Sequence, residues 1–194
     1  MTHMPRLRTA ALTLLAATTL AACGGNDPEA AGEGMTAPFV DANGTEKGSV
    51  TIAFDDKAAR VTVRATGLAP GLHGLHVHKT GICEPDSADP TKPETKGAFL
   101  SAGGHLAEDG QTHGDHDGDL PSLLVQEDGS AELVVTTDRL TRANVLDDDG
   151  SAVMIHEMPD NFGNVPDRYT PTLDDTTKKT GDAGSRVACA VLEG

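Results

Sequence analysis

The chain has no tryptophan, one tyrosine and four phenylalanines. A core built from so few aromatic rings must be aliphatic, filled by Val, Leu, Ile and Ala. Basic residues are also few: 15 Lys and Arg stand against 30 Asp and Glu, for a formal net charge of −15. No basic stripe or patch is visible, which excludes an ordinary nucleic-acid binder. No apolar run is long enough for a good membrane span. Sustained helical periodicity is missing as well. What is abundant is glycine (22) and proline (11), the composition of short strands joined by turns. At 194 residues the chain suits one domain with a proper core.

The N-terminus reads as a targeting segment. Residues 1–22 carry Arg6 and Arg8, then an Ala- and Thr-rich apolar run over 9–22, as in a secretory signal peptide. The run ends in Leu20-Ala21-Ala22-Cys23-Gly24, which resembles the lipobox of bacterial lipoproteins. The resemblance implies cleavage before Cys23, lipidation of Cys23, and attachment to the cell membrane on its extracytoplasmic side. Loss of the two arginines would take the charge from −15 to −17. Residues 23–36 are small, polar and acidic, and read as a flexible tether. The folded domain is expected over 37–194. Cys83 and Cys189 remain in an exported domain, where a disulfide is the default. Two thiolate metal ligands are the alternative, weakened by the lack of CxxC spacing.

Alternation of apolar and polar residues predicts strands over 39–41, 49–54, 60–64, 72–78, 120–126, 131–136, 151–156 and 186–192. Asn43-Gly44 and Asp128-Gly129 are hairpin-turn signals. Residues 79–119 read as one long loop, and a second long loop precedes the last strand; loops of that length are usually functional. The expected fold is all-β: an eight-stranded antiparallel Greek-key barrel or sandwich, immunoglobulin-like, with two functional loops.

Of eight histidines, His3 lies in the signal. The others are His73, His76, His78, His105, His113, His116 and His156. His76 and His78 stand at i and i+2 on a strand, which puts both imidazoles on one face. Such a pair is half of a Cu or Zn site. His105, two further loop histidines and Asp119 complete a donor set suited to those metals.

Several runs resemble copper,zinc superoxide dismutases. Gly71-Leu72-His73-Gly74-Leu75-His76-Val77-His78 is similar to one family signature, and 180–189, TGDAGSRVAC, to the other. Gly104-His105, His116-x-Gly118-Asp119-Leu120 and Ile155-His156-x-x-x-Asp160 fall between them in the family's order. The resemblance covers 37–194. It implies copper on His76, His78, His105 and His156, and zinc on His105, His113, His116 and Asp119, with His105 shared. It further implies that Asp160 ties the two ligand sets together and that Arg186 stands beside the open copper position. It pairs Cys83 with Cys189 and gives His73 a structural place behind the site. The implied reaction is dismutation of superoxide to O2 and H2O2, with His105 carrying a proton.

The match departs in two places. Only two residues separate His113 from His116, about six fewer than in typical members, and some short-loop relatives work with copper alone. Asp115, Asp117 and Asp119 make this segment acidic, which favours a divalent cation. Lys178 and Lys179 in the second loop are candidates for a local positive field or a solvated pair. Two other readings compete: a non-catalytic surface copper/zinc-binding protein on the same fold, and a zinc hydrolase, which a shared His105 does not suit. A homodimer is left open.

Overall fold

A computed structural model describes residues 1, 34–169 and 172–193. Apart from Met1, the stretch read as a signal, together with Cys23 and nearly all of the expected tether, lies outside the described residues.

Eight strands form one antiparallel sheet in the order β7-β4-β9-β10-β1-β2-β3-β8. They are β1 (Met35–Val40), β2 (Glu46–Phe54), β3 (Ala59–Ala65), β4 (Gly71–His78), β7 (Asp119–Val125), β8 (Ala131–Thr137), β9 (Ser151–His156) and β10 (Arg186–Leu192). The two edges, β7 and β8, are consecutive and joined by a tight turn in which Gln126 N–H donates to Ser130 O at 2.8 Å. The sheet therefore curls into a nearly closed barrel. Consecutive β3 and β4 lie far apart in the strand order, the mark of a Greek-key crossover.

The strand patterns explain the curl. In β3, Ala59, Val61, Val63 and Ala65 are buried while Arg60 and Arg64 are exposed. Their inward faces join Phe39, Val50, Ile52, Leu75, Val77, Leu123, Val153 and Ile155 in an aliphatic barrel core. Each fully buried Leu or Ile there stabilises the fold by ~1.5–3 kcal/mol. The first hairpin is set by Asp41, whose Oδ1 accepts N–H bonds from Asn43 and Thr45, both at 2.9 Å. Gly44 supplies the positive φ of 79° that this turn needs.

A second, smaller core lies outside the barrel wall. Ala152, Met154 and Cys189 on β9 and β10 pack against Phe99 and Ala102. This cluster explains why β9 is buried at every position: one face looks into the barrel and the other is roofed by a loop. That stretch, expected as one long loop over 79–119, contains a small hairpin, β5 (Ser87–Asp89) and β6 (Lys92–Gly97), and a 3-10 turn at Leu100–Ala102. The loop before β10 likewise contains α2 (Asp175–Thr180), and α1 (Arg142–Val145) follows β8. β1 begins at Met35, inside the stretch read as tether; Thr36 and Thr51 pair through their hydroxyls at 2.8 Å.

Candidate metal centre

On β4, Leu75 and Val77 belong to the barrel core, so His76 and His78 point outward. His156, at the end of β9, faces the same way. The 79–118 loop folds back over them. Lys79 N–H donates to Gly104 O, Leu106 N–H to Val77 O, and Val77 N–H to Gly118 O. A Cβ at Gly118 would lie 2.2 Å from Val77 O, so only glycine permits this closure. His105 is thereby set beside His78. All six of these histidines, His76, His78, His105, His113, His116 and His156, are buried.

One group joins His76, His78, His105 and His156, whose donor atoms all lie within 4.8 Å of one another. His78 Nε2 and His156 Nε2 are 3.3 Å apart. The other ring nitrogens are engaged behind them: His78 Nδ1 with Gly103 O at 2.9 Å, His156 Nδ1 with Gly184 O at 3.2 Å, and His76 Nε2 with Asp160 Oδ2 at 2.5 Å. A carbonyl can only accept, so it fixes the N–H on the outer nitrogen and leaves the inner lone pair for a metal. Burial, reinforced for His78 by the Arg186 charge, pushes His78 and His156 well below the usual imidazole range. Burial likewise pushes His105 down to about 3, against the pull of Asp119. Neutral imidazoles are the form that binds metals.

The second group is built on Nδ1 atoms. His105 Nδ1 lies 2.8 Å from Asp119 Oδ1 and 3.3 Å from His116 Nδ1. Asp119 Oδ1 is 3.3 Å from His116 Nδ1 and 3.4 Å from His113 Nδ1. A tetrahedral zinc with bonds of ~2.0–2.1 Å has ligand–ligand edges of about 3.3 Å, so most of these separations are already those of zinc ligands. The donor atoms that all lie within 4.8 Å of one another here are those of His76, His105, His113 and Asp119; His116 stands beside them through its contacts with His105 and Asp119, and His76 Nε2 is committed to Asp160. Among the described residues, two buried side-chain nitrogens lack any hydrogen-bond partner, His76 Nδ1 and His113 Nδ1: one for each group, and a cation there would satisfy both. The donors fit copper in the first group and zinc in the second.

Asp160 spans the groups. Its Oδ2 meets His76 Nε2, its Oδ1 meets His113 Nε2 at 2.6 Å, and Phe162 N–H donates to Oδ1 at 2.6 Å. Burial opposes its charge, but these bonds prevail and hold it below the usual carboxylate range. Burial also acts to lower His113; the adjacent Asp119 and Asp160 outweigh it and raise His113 to about 9. Asp119 Oδ1 meets the rings of His105, His113 and His116, while Oδ2 accepts N–H bonds from Gly114 at 2.7 Å and His116 at 3.1 Å and also lies 3.3 Å from His116 Nδ1.

Arg186 pairs in register with His156. Its guanidinium donates to Phe99 O and to Gly103 O, the carbonyl that also holds His78. Burial lowers Arg186 to about 10, still charged at neutral pH. The Cys83–Cys189 disulfide, with Cα atoms 5.8 Å apart, pins the loop: Glu84 O accepts from Phe99 N–H at 2.8 Å. His73 stands behind the site, its ring nitrogens 2.6 Å from His156 O and 2.8 Å from Ala69 O. Lys179 is an exposed partner of Asp175 at 3.6 Å, and the Lys178 carbonyl accepts from His113 N–H at 2.8 Å. Two neighbours escape a reading of the sequence. Lys79 is exposed, and a Cβ at Gly103 would meet its stem at 2.9 Å; its place directly after His78 was the available signal. Arg139 had none, lying 20 residues from Asp119 in the chain.

The family model described as copper/zinc superoxide dismutase matches residues 46–192. The chain belongs to the copper/zinc superoxide dismutase family. A Mycobacterium tuberculosis protein named superoxide dismutase [Cu-Zn] is 45% identical over 178 residues, which cover 87% of this chain and 74% of that one. The Escherichia coli K12 protein of the same name is 34% identical, covering 98% of this chain and 100% of its own. Among solved structures, the Cu/Zn superoxide dismutase of Brucella abortus superimposes with a TM-score of 0.66 at 27% identity, over 83% of this chain and 100% of that one. A dismutase-like protein of Bacillus subtilis, solved as a double mutant, gives 0.65 at 30% identity.

Proposed function

We propose that the chain is a superoxide dismutase that converts two superoxide ions and two protons to O2 and H2O2. The observation that carries this reading is a pair of metal-ligand groups sharing His105, with a charged Arg186 held against the first. His76, His78, His105 and His156 would hold copper; His105, His113, His116 and Asp119 would hold zinc. Copper supplies the one-electron redox change, which zinc cannot. Arg186 supplies a fixed positive charge that binds and orients the anion beside the copper group. Lys79 adds a cation near that opening, which matters in a chain with a net charge of −15, whose overall field repels superoxide. The His105 nitrogen that faces the copper group would carry a proton for the departing peroxide when copper does not hold it, and Asp160 fixes the orientation of His76 and His113. A metal-storage protein would need no guanidinium at the copper group, and the dismutase relatives disfavour that reading.

The sequence also supports export, with 1–22 as a lipoprotein signal, Cys23 as lipid anchor and a tether to about residue 34. The enzyme would then meet superoxide at the outer face of the membrane and protect the cell envelope. Metal-loaded protein is expected to hold about one copper and one zinc per chain and to consume superoxide rapidly in pulse radiolysis. Copper alone with rapid turnover would remove the zinc assignment; bound metal without turnover would overturn the enzymatic one.

A further inference from the structure

The short loop between His113 and His116 poses a mechanical problem. It holds two zinc-type ligands with only Gly114 and Asp115 between them, and its turn bond, Asp115 N–H to Thr112 O at 3.0 Å, closes ahead of His116. Within the loop, His116 is held by Asp119: its N–H donates to Asp119 Oδ2 at 3.1 Å, its carbonyl accepts from Asp119 N–H at 3.2 Å, and its ring lies 3.3 Å from Asp119 Oδ1. From outside, the Arg139 side chain reaches its backbone. Arg139 donates through Nη1 to His116 O at 3.2 Å and through Nη2 to Asp115 Oδ1 at 2.7 Å. One planar guanidinium thus grips two consecutive residues, a geometry that its fixed fork of donors suits and an ammonium does not.

The grip has a firm base. Arg139 precedes Leu140, and Leu140 and Val145 are buried in the barrel core. The intervening turn is locked by a capping box between Thr141 and Asn144. Asn144 Nδ2 donates to Arg139 O at 3.0 Å and to Asp117 Oδ2 at 3.3 Å, and Gln111 Nε2 meets Asp117 Oδ1 at 3.0 Å. The loop is therefore held against the barrel core along its length. The Arg139–Asp115 pair is 39% and 71% exposed, and as a surface ion pair it contributes little stability. Its consequence lies in where it places His116.

We propose that Arg139 is a positioning residue for the zinc group: through His116 O and Asp115 it holds the His116 ring in ligand geometry, in place of the structure that a longer loop would supply. This rests on the zinc assignment under Proposed function. Partners that orient a metal ligand from behind typically affect affinity 10–100-fold. Purified full-length protein is compared with Arg139→Gln and Arg139→Lys. Zinc affinity is measured by chelator competition, and cobalt in the zinc group is followed by its visible absorption. Arg139→Gln is expected to weaken zinc at least tenfold and to alter the cobalt band. Copper affinity should stay within twofold, and the thermal midpoint of the metal-free protein should hardly move. Arg139→Lys, which keeps the charge but loses the fork, should recover only part of the affinity. Zinc affinity of Arg139→Gln within twofold of the parent overturns the inference; if that variant does not fold, parental affinity in Arg139→Lys overturns it instead. A parent protein that takes up no zinc overturns the zinc assignment itself.

Discussion

Zinc uptake should be driven by pH through one residue, His113. Its Nε2 lies 2.6 Å from Asp160 and its Nδ1 3.4 Å from Asp119. Between two carboxylates it is raised to about 9, so at neutral pH the metal-free ring carries a proton. Zinc needs the neutral ring, so binding must release that proton. Below pH 9 each pH unit changes the apparent affinity about tenfold, or ~1.36 kcal/mol. From pH 7 to 8 zinc should therefore bind about tenfold more tightly, with about one proton released, and the gain should level off above pH 9. Folding stability runs the other way. A group raised from 6.5 to about 9 stabilises the metal-free fold fully below pH 6.5, and that contribution is lost as pH rises through about 9. Calorimetric titration in buffers of different ionisation enthalpy counts the protons, and the thermal midpoint of metal-free protein over the same range reports stability. Asp160→Asn removes one of the two carboxylates; the pH slope of zinc binding should flatten while zinc affinity falls. A parent slope under twofold per unit, or an unchanged slope in Asp160→Asn, would refute the argument.

Arg186→Glu reverses the charge beside the copper group and should slow turnover on the order of tenfold at low salt, with a smaller loss at 1 M salt, where the Debye length is only ~3 Å; stopped-flow rates that ignore salt in parent and variant alike would count against the role. The Cys83–Cys189 bridge closes a 106-residue separation, so a Cys189→Ser variant should lose ~4–5 kcal/mol in urea unfolding on the chain-entropy account, and a loss under 1 kcal/mol would contradict it. Gly118→Ala places a Cβ 2.2 Å from Val77 O; overpacking against backbone should destabilise by about 3 kcal/mol and weaken both metals in elemental analysis. Gly104→Ala, where nothing lies within 4 Å, should be tolerated.

Much of the fold and of the site was readable in the sequence because its signals are local. Period-2 alternation in β3 and β2 follows directly from one buried and one open face, and His76 and His78 share a face for the same reason. Turn chemistry at Asn43-Gly44 and Asp128-Gly129 is local too. The 79–119 stretch misled because its order is not local. Phe99 and Ala102 carry no strand or helix period, and they are ordered by Met154 and Ala152 on a strand some fifty residues away. Met35 and Thr36 look like tether by composition, and belong to β1 only because β2 offers them a ladder. Asp160 is singled out among many acidic residues only by its place in the Ile155-His156-x-x-x-Asp160 run; its contacts with His76 and His113 come from the fold.

The sequence by itself determined that this is a small aliphatic all-β domain, and which histidines sit together along its strands, since strand pitch and burial act over a few residues. The tertiary structure alone decided how the donors face one another: which ring nitrogen is engaged by a carbonyl and which is left for a metal, how Asp160 joins the two groups, and how Arg139 grips a shortened loop. Those are contacts between residues distant in the chain, and nothing in local spacing encodes the angle at which two imidazoles meet.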